Sequence, residues 1–308
     1  MTHQTQGLHH MTAIASDPQR NIDFYTQVLG LRLVKFTVNF DDPSSYHLYY
    51  GDERGTPGTT LTFFSWPGAS PARMGRGVVE ATHLRAPRGS LPFWEERLRG
   101  AGVPVAPGDG TLGFKDEDGV RFELHEADIP ERVAPWTHVV AAEYALGGMA
   151  GVTLRVGSPG LTAKVLEEKM GFARESETEF VAPTGEFVRL VADSSAAPAG
   201  MGAGGVHHVA FRSQSEDEQL AWRAELIQSR LNVSPVMNRD YFRSIYFREP
   251  GGVLFEIATD EPGFTLDEPL ETLGTSLKLP AQFEPNRNTI ESRLPRVALP
   301  ETKSGEAR

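Results

Sequence analysis

The sequence predicts an α+β protein built from four copies of one structural unit. Four segments repeat the same order of an alternating strand, a helix and further strands. The helical segments space their apolar residues for one face, and glycines fit the helix ends that need a positive φ. A glycine also introduces the closing strand of each unit, so the repeat extends over most of the 308 residues.

The first two units follow this order closely. The first opens with LHHMTAIA, continues into the helical DPQRNIDFYTQVLGL and closes with GTTLTFFSW. The spacing of Phe24, Val28 and Leu31 predicts one apolar helical face. Gly30 fits a helix end that needs a positive φ. The second unit opens with VVEATHLRAP, has the helical LPFWEERLRGAGV and closes with GVRFELHEA.

The third and fourth units have the same plan. The third opens with GVTLRVG, has the helical LTAKVLEEKMGF, with Gly171 at its end, and closes with GEFVRLVAD. The fourth opens with VHHVAFRS, has a helix around EDEQLAWRAELIQSRL and closes with GGVLFEIATD. In its helix Leu220, Ala224 and Ile227 are spaced for an apolar face. In its closing strand Glu256 stands among apolar neighbours, where a carboxylate is costly unless it has a partner.

The pattern lapses at points that predict the domain boundaries. We expect an N-terminal domain over residues 1–140 with units one and two, and a C-terminal domain over 141–262 with units three and four. The Ala/Gly/Pro-rich stretch from Ser194 to Gly205 is typical of a flexible connection. The tail, 263–308, has apolar positions and is expected to pack on the body, whereas its last residues, KSGEAR, are expected to be disordered.

Composition limits the classes of function. A hydrophobic share of 39% and a charged share of 23% are typical of a globule with a sizeable core. A net charge of −11, without a Lys/Arg run, argues against binding to nucleic acid or an anionic membrane. No stretch reaches the roughly 18 apolar residues of a membrane span, and the first residues lack an apolar signal core. We therefore expect a cytoplasmic location.

The sequence contains no cysteine. Disulfides, thiolate metal sites and cysteine nucleophiles are therefore excluded. Any metal ion has to bind His, Asp, Glu or backbone ligands.

Aligning the four opening strands places two histidines in register. His208 of the fourth unit corresponds to His10 of the first, and the equivalent residues of units two and three are Ala81 and Gly151. Strict alternation puts His9 and His10, like the second HH pair, on opposite faces of a sheet. We choose the second histidine of each pair because it stays in register with the apolar residues that follow.

Aligning the closing strands on their glycines identifies the third candidate. Glu256 corresponds to Thr62, Glu123 and Arg189 in units one, two and three. Units one and four together therefore offer two imidazoles and one carboxylate, the facial arrangement that suits non-heme Fe(II) and leaves positions open. Mn(II) accepts the same ligands. A second carboxylate at Thr62 would instead favour Lewis-acid proton chemistry.

These motifs resemble the vicinal oxygen chelate superfamily, and within it the ring-cleaving dioxygenases that act on hydroquinones. The resemblance covers nearly the whole chain and is specific in LHHMTAIASDPQRNIDFYTQVLGLRLVK, VNFDDPSSYHLYYGD, GVHHVAFR and LGTSLKLP. It implies four βαβββ modules forming two paired half-barrels, with the metal between the first and last modules. It also implies a small aromatic substrate, O2 as co-substrate and a homo-oligomer such as a dimer.

The resemblance implies roles for particular residues. His10, His208 and Glu256 match the Fe(II) ligands. Tyr246 and Arg239 match residues that face the substrate, and three further residues match positions that support the ligands or line the pocket. Those three residues are His9, His207 and Thr12, and His9 or His207 is a candidate general base that accepts the proton of the substrate hydroxyl.

Several polar residues receive a structural interpretation. His83, His125 and His138 are expected to be structural or exposed, and Glu123 is expected to form a local salt bridge or hydrogen bond. His47 is left open as a residue that faces the pocket.

Two other functions remain open from the residues alone. One is a glyoxalase-like, metal-dependent isomerase or lyase, which usually needs the second carboxylate that Thr62 does not provide. The other is a metal-free small-molecule-binding protein, which has no need of two histidines and a glutamate in register.

Overall fold

The computed structural model describes residues 4–300, so the KSGEAR segment lies outside the described residues. Each of the four units folds as βαβββ, and the predicted α+β class is confirmed. Module 1 contains β1 (Leu8–Ala15), α1 (Pro18–Asp23, continued by a π-helical turn at Phe24–Val28), β2 (Arg32–Val38), β3 (Tyr46–Gly51) and β4 (Thr60–Ser65). Module 2 contains β5 (Val78–Ala86), α2 (Leu91–Gly100), β6 (Val105–Gly108), β7 (Thr111–Lys115) and β8 (Arg121–Glu126).

The C-terminal half repeats the arrangement. Module 3 contains β9 (Met149–Val156), α3 (Pro159–Glu168), β10 (Ala173–Arg174), β11 (Glu179–Val181) and β12 (Phe187–Ala192). Module 4 contains β13 (Val206–Ser213), α4 (Glu216–Gln228), β14 (Met237–Asn238), β15 (Phe242–Arg248) and β16 (Leu254–Pro262). The tail adds three 3₁₀ turns, Phe264–Leu266, Leu270–Thr272 and Glu284–Asn286, and α5 (Arg287–Arg293).

The modules pair into two eight-stranded sheets. Modules 4 and 1 form the first sheet, in the order β14-β15-β16-β13-β1-β4-β3-β2. Modules 3 and 2 form the second, in the order β10-β11-β12-β9-β5-β8-β7-β6. In each sheet the opening strands of the two modules lie antiparallel at the centre, β1 beside β13 and β5 beside β9. The two ends of the chain therefore share one sheet, and each sheet crosses the boundary predicted near residue 140.

Local sequence signals begin and end the helices. The carboxylate of Asp17 accepts a hydrogen bond from the Arg20 amide at 2.9 Å and caps α1, with Pro18 as its first residue. Gly30 and Gly171 have φ of +69° and +73°, as the sequence predicts for helix ends.

The predicted apolar face of α4 is wrong. Leu220 and Ile227 are 51% and 45% exposed, whereas Trp222 and Leu226 are fully buried. Gln219 is buried beside them because its amide donates to the carbonyls of strands β15 and β16. A polar residue whose amide N–H groups find acceptors can thus lie on the buried face, and apolar spacing alone does not reveal it.

The tail packs against module 1. Leu273, Leu279 and Ile290 are buried, and the Lys278 amide donates to the Phe36 carbonyl at 2.9 Å. Lys35 of β2 is fully buried and binds carboxylates of the tail, as discussed below.

The Ala/Gly/Pro-rich stretch predicted to be flexible is held in place. Residues 198–203 form β-bridges with residues 71–76, including Pro71 with Ala203 and Arg73 with Gly200. These bridges connect the end of module 1 to the start of module 4. Among the described residues, no helix combines the length and apolar character that crossing a membrane requires.

Candidate metal centre

Three side chains from the two ends of the chain converge in the first sheet. The Nε2 atoms of His10 and His208 lie 3.3 Å apart. The Oε2 atom of Glu256 lies 3.2 Å from the first and 2.9 Å from the second. All three side chains are almost completely buried. The structure thus brings together the three residues that the repeat alignment selects.

Strand register explains the convergence. β13 lies between β1 and β16, and Ala210 pairs with both His10 and Glu256. The second sheet has the same register, with His83 opposite Glu123 and Thr153 opposite Arg189.

A β-bulge in each central strand positions the neighbouring histidines. Leu8 and His10 pair with consecutive residues of β13, so His9 is the extra residue on β1. At the other end of the same pair of strands, His207 is the extra residue on β13. A bulge changes the direction of a side chain locally. The expectation that His9 and His10 lie on opposite faces is therefore wrong, since their rings are in contact.

Hydrogen bonds determine the tautomers of the first pair. His9 Nε2 lies 3.2 Å from the Thr259 carbonyl, which can only accept, so this nitrogen carries the proton. His9 Nδ1, 2.9 Å from His10 Nδ1, then accepts from that ring. The Nε2 atom of His10 is left with its lone pair directed at Glu256 and His208, as a metal ligand requires.

The second pair repeats this contact. The Nδ1 atoms of His207 and His208 lie 2.8 Å apart. The pKa values of His9 and His207 are both lowered to about 3. Burial is the larger cause, and the neighbouring His10 or His208 adds to it. Burial also lowers the pKa of His208, although Glu256 opposes the shift. His9, His207 and His208 are therefore neutral imidazoles near pH 7.

Glu256 has the properties of a ligand carboxylate. Burial disfavours its ionisation, but the electrostatic interaction with the neighbouring rings of His10 and His208 outweighs this and holds its pKa well below the usual range. Oε1 accepts a hydrogen bond from Ser244 at 2.5 Å. Oε2 has no hydrogen bond of good geometry among residues 4–300, despite two ring nitrogens nearby. The three ligand atoms thus point to one shared position, where a divalent cation fits.

A chain of hydroxyl and imidazole groups extends from the ligands. Thr12 Oγ1 lies 2.9 Å from His208 Nε2 and 2.7 Å from Thr62 Oγ1. Thr62 is 3.1 Å from His47 Nε2, and the Tyr49 hydroxyl is 2.8 Å from His47 Nδ1. His47, left open by the sequence, therefore faces the site.

Arg239 and Tyr246 lie on the open side of the centre. Arg239 donates to the Tyr246 hydroxyl at 3.3 Å and to both carboxylate oxygens of Asp41 at 3.0 and 2.9 Å. The Tyr246 ring lies edge-on to His208, with centroids 5.7 Å apart. A cavity of about 20 Å³ adjoins these residues, and its wall also includes Phe40, Phe64 and Phe242.

The sequence missed several residues of the site. Ser244 and Asp41 give no recognisable signal because their roles depend on strand register and loop position. Tyr49 and Asp41 do fall within VNFDDPSSYHLYYGD, one of the segments that carries the family resemblance. That segment forms the end of β2, the following loop and β3, beside the ligands.

Comparison with known proteins agrees with this arrangement. The model of the Glyoxalase/Bleomycin resistance protein/Dioxygenase superfamily matches residues 7–124 and 148–257. The chain belongs to this superfamily. The two matched regions cover most of the four modules, and the separately matched halves reflect the internal repeat.

Similar members of the superfamily cover nearly the full length. The "Putative ring-cleaving dioxygenase MhqO" of Bacillus subtilis is 45% identical, over 96% of this chain and 97% of the relative. The "Chlorohydroquinone/hydroquinone 1,2-dioxygenase" of Sphingobium indicum is 34% identical, over 91% and 93%. A crystal structure of a "putative dioxygenase" from Bacillus subtilis has a TM-score of 0.91 and 42% identity, and the match covers 97% of this chain and 99% of that one.

Proposed function

We propose that the protein is an Fe(II)-dependent dioxygenase that opens a hydroquinone-like aromatic ring with O2. The observation that carries the proposal is the convergence of His10, His208 and Glu256 on one buried position. Two imidazoles and one carboxylate on one side of an ion leave positions for a substrate oxygen and O2. The relative from Sphingobium indicum, a chlorohydroquinone/hydroquinone 1,2-dioxygenase, supports the substrate class. Mn(II) accepts the same ligands.

The reaction needs both a bound ion and an ionised substrate. When bound, the ion supplies Lewis acidity that lowers the pKa of a phenolic hydroxyl, and redox capacity toward O2. His9 and His207 orient the ligand rings, because each places its Nδ1 against the Nδ1 of a ligand. The Nδ1 atoms of His9 and His207 are thereby occupied. These contacts favour orientation of the ligand rings over a role as general base.

Arg239 and Tyr246 act on the substrate. The guanidinium and the phenol face the same cavity as His10 and His208. Burial disfavours charge on Arg239, but Tyr246 and Asp41 outweigh this and raise its pKa, so it stays cationic. Burial raises the pKa of Tyr246, which therefore stays a hydrogen-bond donor. Together they can stabilise negative charge that develops on the ring oxygens.

The first test measures O2 uptake by the Fe(II)-loaded protein with a panel of hydroquinones and catechols. We expect uptake with hydroquinones, incorporation of both oxygen atoms into the product, and no turnover without O2. His10→Ala should abolish both bound iron and turnover. A variant that keeps full iron and full activity would contradict the ligand assignment.

The second test separates substrate contact from metal binding. Tyr246→Phe removes a hydroxyl that we place against the developing charge, so kcat should fall by roughly 100-fold while the iron content stays unchanged. Tyr144→Phe is the matched control, because Tyr144 stacks on Phe93 of α2, in a module that belongs to the second sheet. Equal activity of the two variants would exclude a substrate role for Tyr246.

Anaerobic assay also separates the glyoxalase-like alternative, which does not consume O2. Thr62 stands where that chemistry usually needs a carboxylate, and it binds Thr12 instead. The homo-oligomer implied by the resemblance stays a prediction.

A further inference from the structure

The second sheet lacks the ligand set of the first at the equivalent positions. Ala81 and Gly151 stand where the first sheet has His10 and His208. Arg189 stands where it has Glu256. A copy of the first site therefore cannot form there.

A different group occupies the same sheet, displaced along the strands. His83 of β5 lies two residues beyond Ala81, and it pairs with Glu123 of β8. His125 lies two residues beyond Glu123, so alternation places it on the same face. We propose that His83, Glu123 and His125 form a second binding site for a divalent transition-metal ion, of which Zn²⁺ is the best match.

The distances fit a shared ion. His125 Nε2 lies 2.8 Å from both His83 Nδ1 and Glu123 Oε1. His83 Nδ1 lies 3.6 Å from Glu123 Oε1. Ligands held about 2.1 Å from one Zn²⁺ in a tetrahedron stand roughly 3.4 Å apart, so small shifts of these three atoms accommodate the ion.

The surroundings prepare the ligand atoms. Thr153 Oγ1 lies 2.7 Å from His83 Nε2 and can accept the proton of this nitrogen, which leaves the lone pair of Nδ1 for an ion. The Phe187 ring contacts both imidazoles, with centroids 4.9 and 5.6 Å away. Burial, and then His83, lower the pKa of His125, which keeps its ring neutral near pH 7.

The charges also permit a cation. Glu123 supplies one negative charge, and His83, through a hydrogen bond, lowers its pKa further. The guanidinium of Arg189, whose charge acts on Glu123 and His125, is paired with Glu179 at 3.1 and 2.8 Å. Glu123 and His125 are partly exposed, so an ion can enter and water can complete the tetrahedron.

Two imidazoles and one carboxylate also suit Zn²⁺. The greater exposure of this site distinguishes it from the buried first centre. Its ion should therefore exchange with a chelator faster than the ion of the first centre. The proposal goes beyond the dioxygenase function and does not depend on it.

The experiment counts ions per chain. The full-length protein, stripped of metal, is dialysed against micromolar Zn²⁺ and analysed by elemental analysis. We expect two ions per chain in the wild type and one in His125→Ala, Glu123→Gln or His10→Ala. The double variant His10→Ala/His125→Ala should bind none. His138→Ala, at an exposed histidine outside both groups, should still bind two.

Two controls keep the outcome clear. His83 is buried and its loss endangers folding, so the partly exposed Glu123 and His125 carry the test, and circular dichroism verifies each fold. Co²⁺ in place of Zn²⁺ gives a visible spectrum whose contribution from the second site should disappear in His125→Ala. One ion in the wild type and none in His10→Ala would overturn the proposal, as would two ions in His125→Ala.

Discussion

Individual residues of the first centre depend on their neighbours for chemical form. We propose His10 as a ligand because its contact with His9, which in turn contacts the Thr259 carbonyl, leaves the lone pair of His10 Nε2 for an ion. His208 contacts His207 through the same ring nitrogens. Each HH pair therefore consists of one residue that we propose as a ligand and one that we propose to orient it.

Removing an orienting residue should weaken metal binding without removing a ligand. For His9→Ala we expect the Kd for Fe(II) to rise roughly 10- to 100-fold, because His10 loses the acceptor for its Nδ1 proton. His9→Gln supplies an amide oxygen and should recover part of the loss, whereas His138→Ala should leave the Kd unchanged. Anaerobic titration measures all of these. Wild-type affinity in His9→Ala would show that the contact does not orient His10.

The same buried histidines should make the metal-free protein sensitive to acid. His9 and His207 have pKa values of about 3 when folded, against the ordinary 6.5 when unfolded. Between those values the unfolded chain binds more protons, so stability falls as the pH falls below 6.5. For each of these two histidines, the free energy of unfolding falls by up to about 1.4 kcal/mol for every pH unit of acidification in this range.

Urea unfolding of the EDTA-treated protein at pH 6.5 and pH 5.0 measures this effect. The double variant His9→Asn/His207→Asn should lose less stability across the interval than the wild type. An equal loss in both proteins would show that other groups cause the acid sensitivity.

At the scale of elements, the tail is connected to the first sheet by a buried charge. The Lys35 ammonium contacts Glu268, which is also buried, and lies 2.6 Å from Asp267, which is partly exposed. It also lies 4.8 Å from the centre of the Tyr241 ring. Since a buried charge needs a partner, these contacts hold the first tail segment beside β2.

Lys35→Met should therefore lower the free energy of unfolding by about 3 kcal/mol, because Glu268 is left buried and unpaired. Lys35→Met/Glu268→Met removes both charges and should regain part of the loss. Arg99→Met breaks a pair on the exposed surface of α2 and should change little. Denaturant unfolding compares the variants. A Lys35→Met protein as stable as the wild type would contradict the anchoring role.

At the scale of the whole molecule, the sequence predicts the repeat, and it selects three residues that the structure brings together. The convergence of His10, His208 and Glu256 could be predicted from the sequence, because equivalent positions in the repeats occupy equivalent positions in the sheet. The bulges at His9 and His207 could not be predicted, since they depend on pairing between remote strands. The buried face of α4 was missed for a related reason: the Gln219 amide donates to strand carbonyls that the helix sequence does not contain.

The first centre connects the two ends of the chain, so ion binding should stabilise the entire first sheet. In the His125→Ala background, where only the first centre can fill, an ion at 100 times its Kd should add about 2.7 kcal/mol to the free energy of unfolding. Amide exchange should slow in β1, β13 and β16, which carry the ligands, and much less in β6 and β7 at the edge of the other sheet. Adding His10→Ala should remove both effects. If the ion still slows amide exchange in the double variant, it stabilises the protein from another position. The ends of the chain would then be held together by strand pairing and not by the ion.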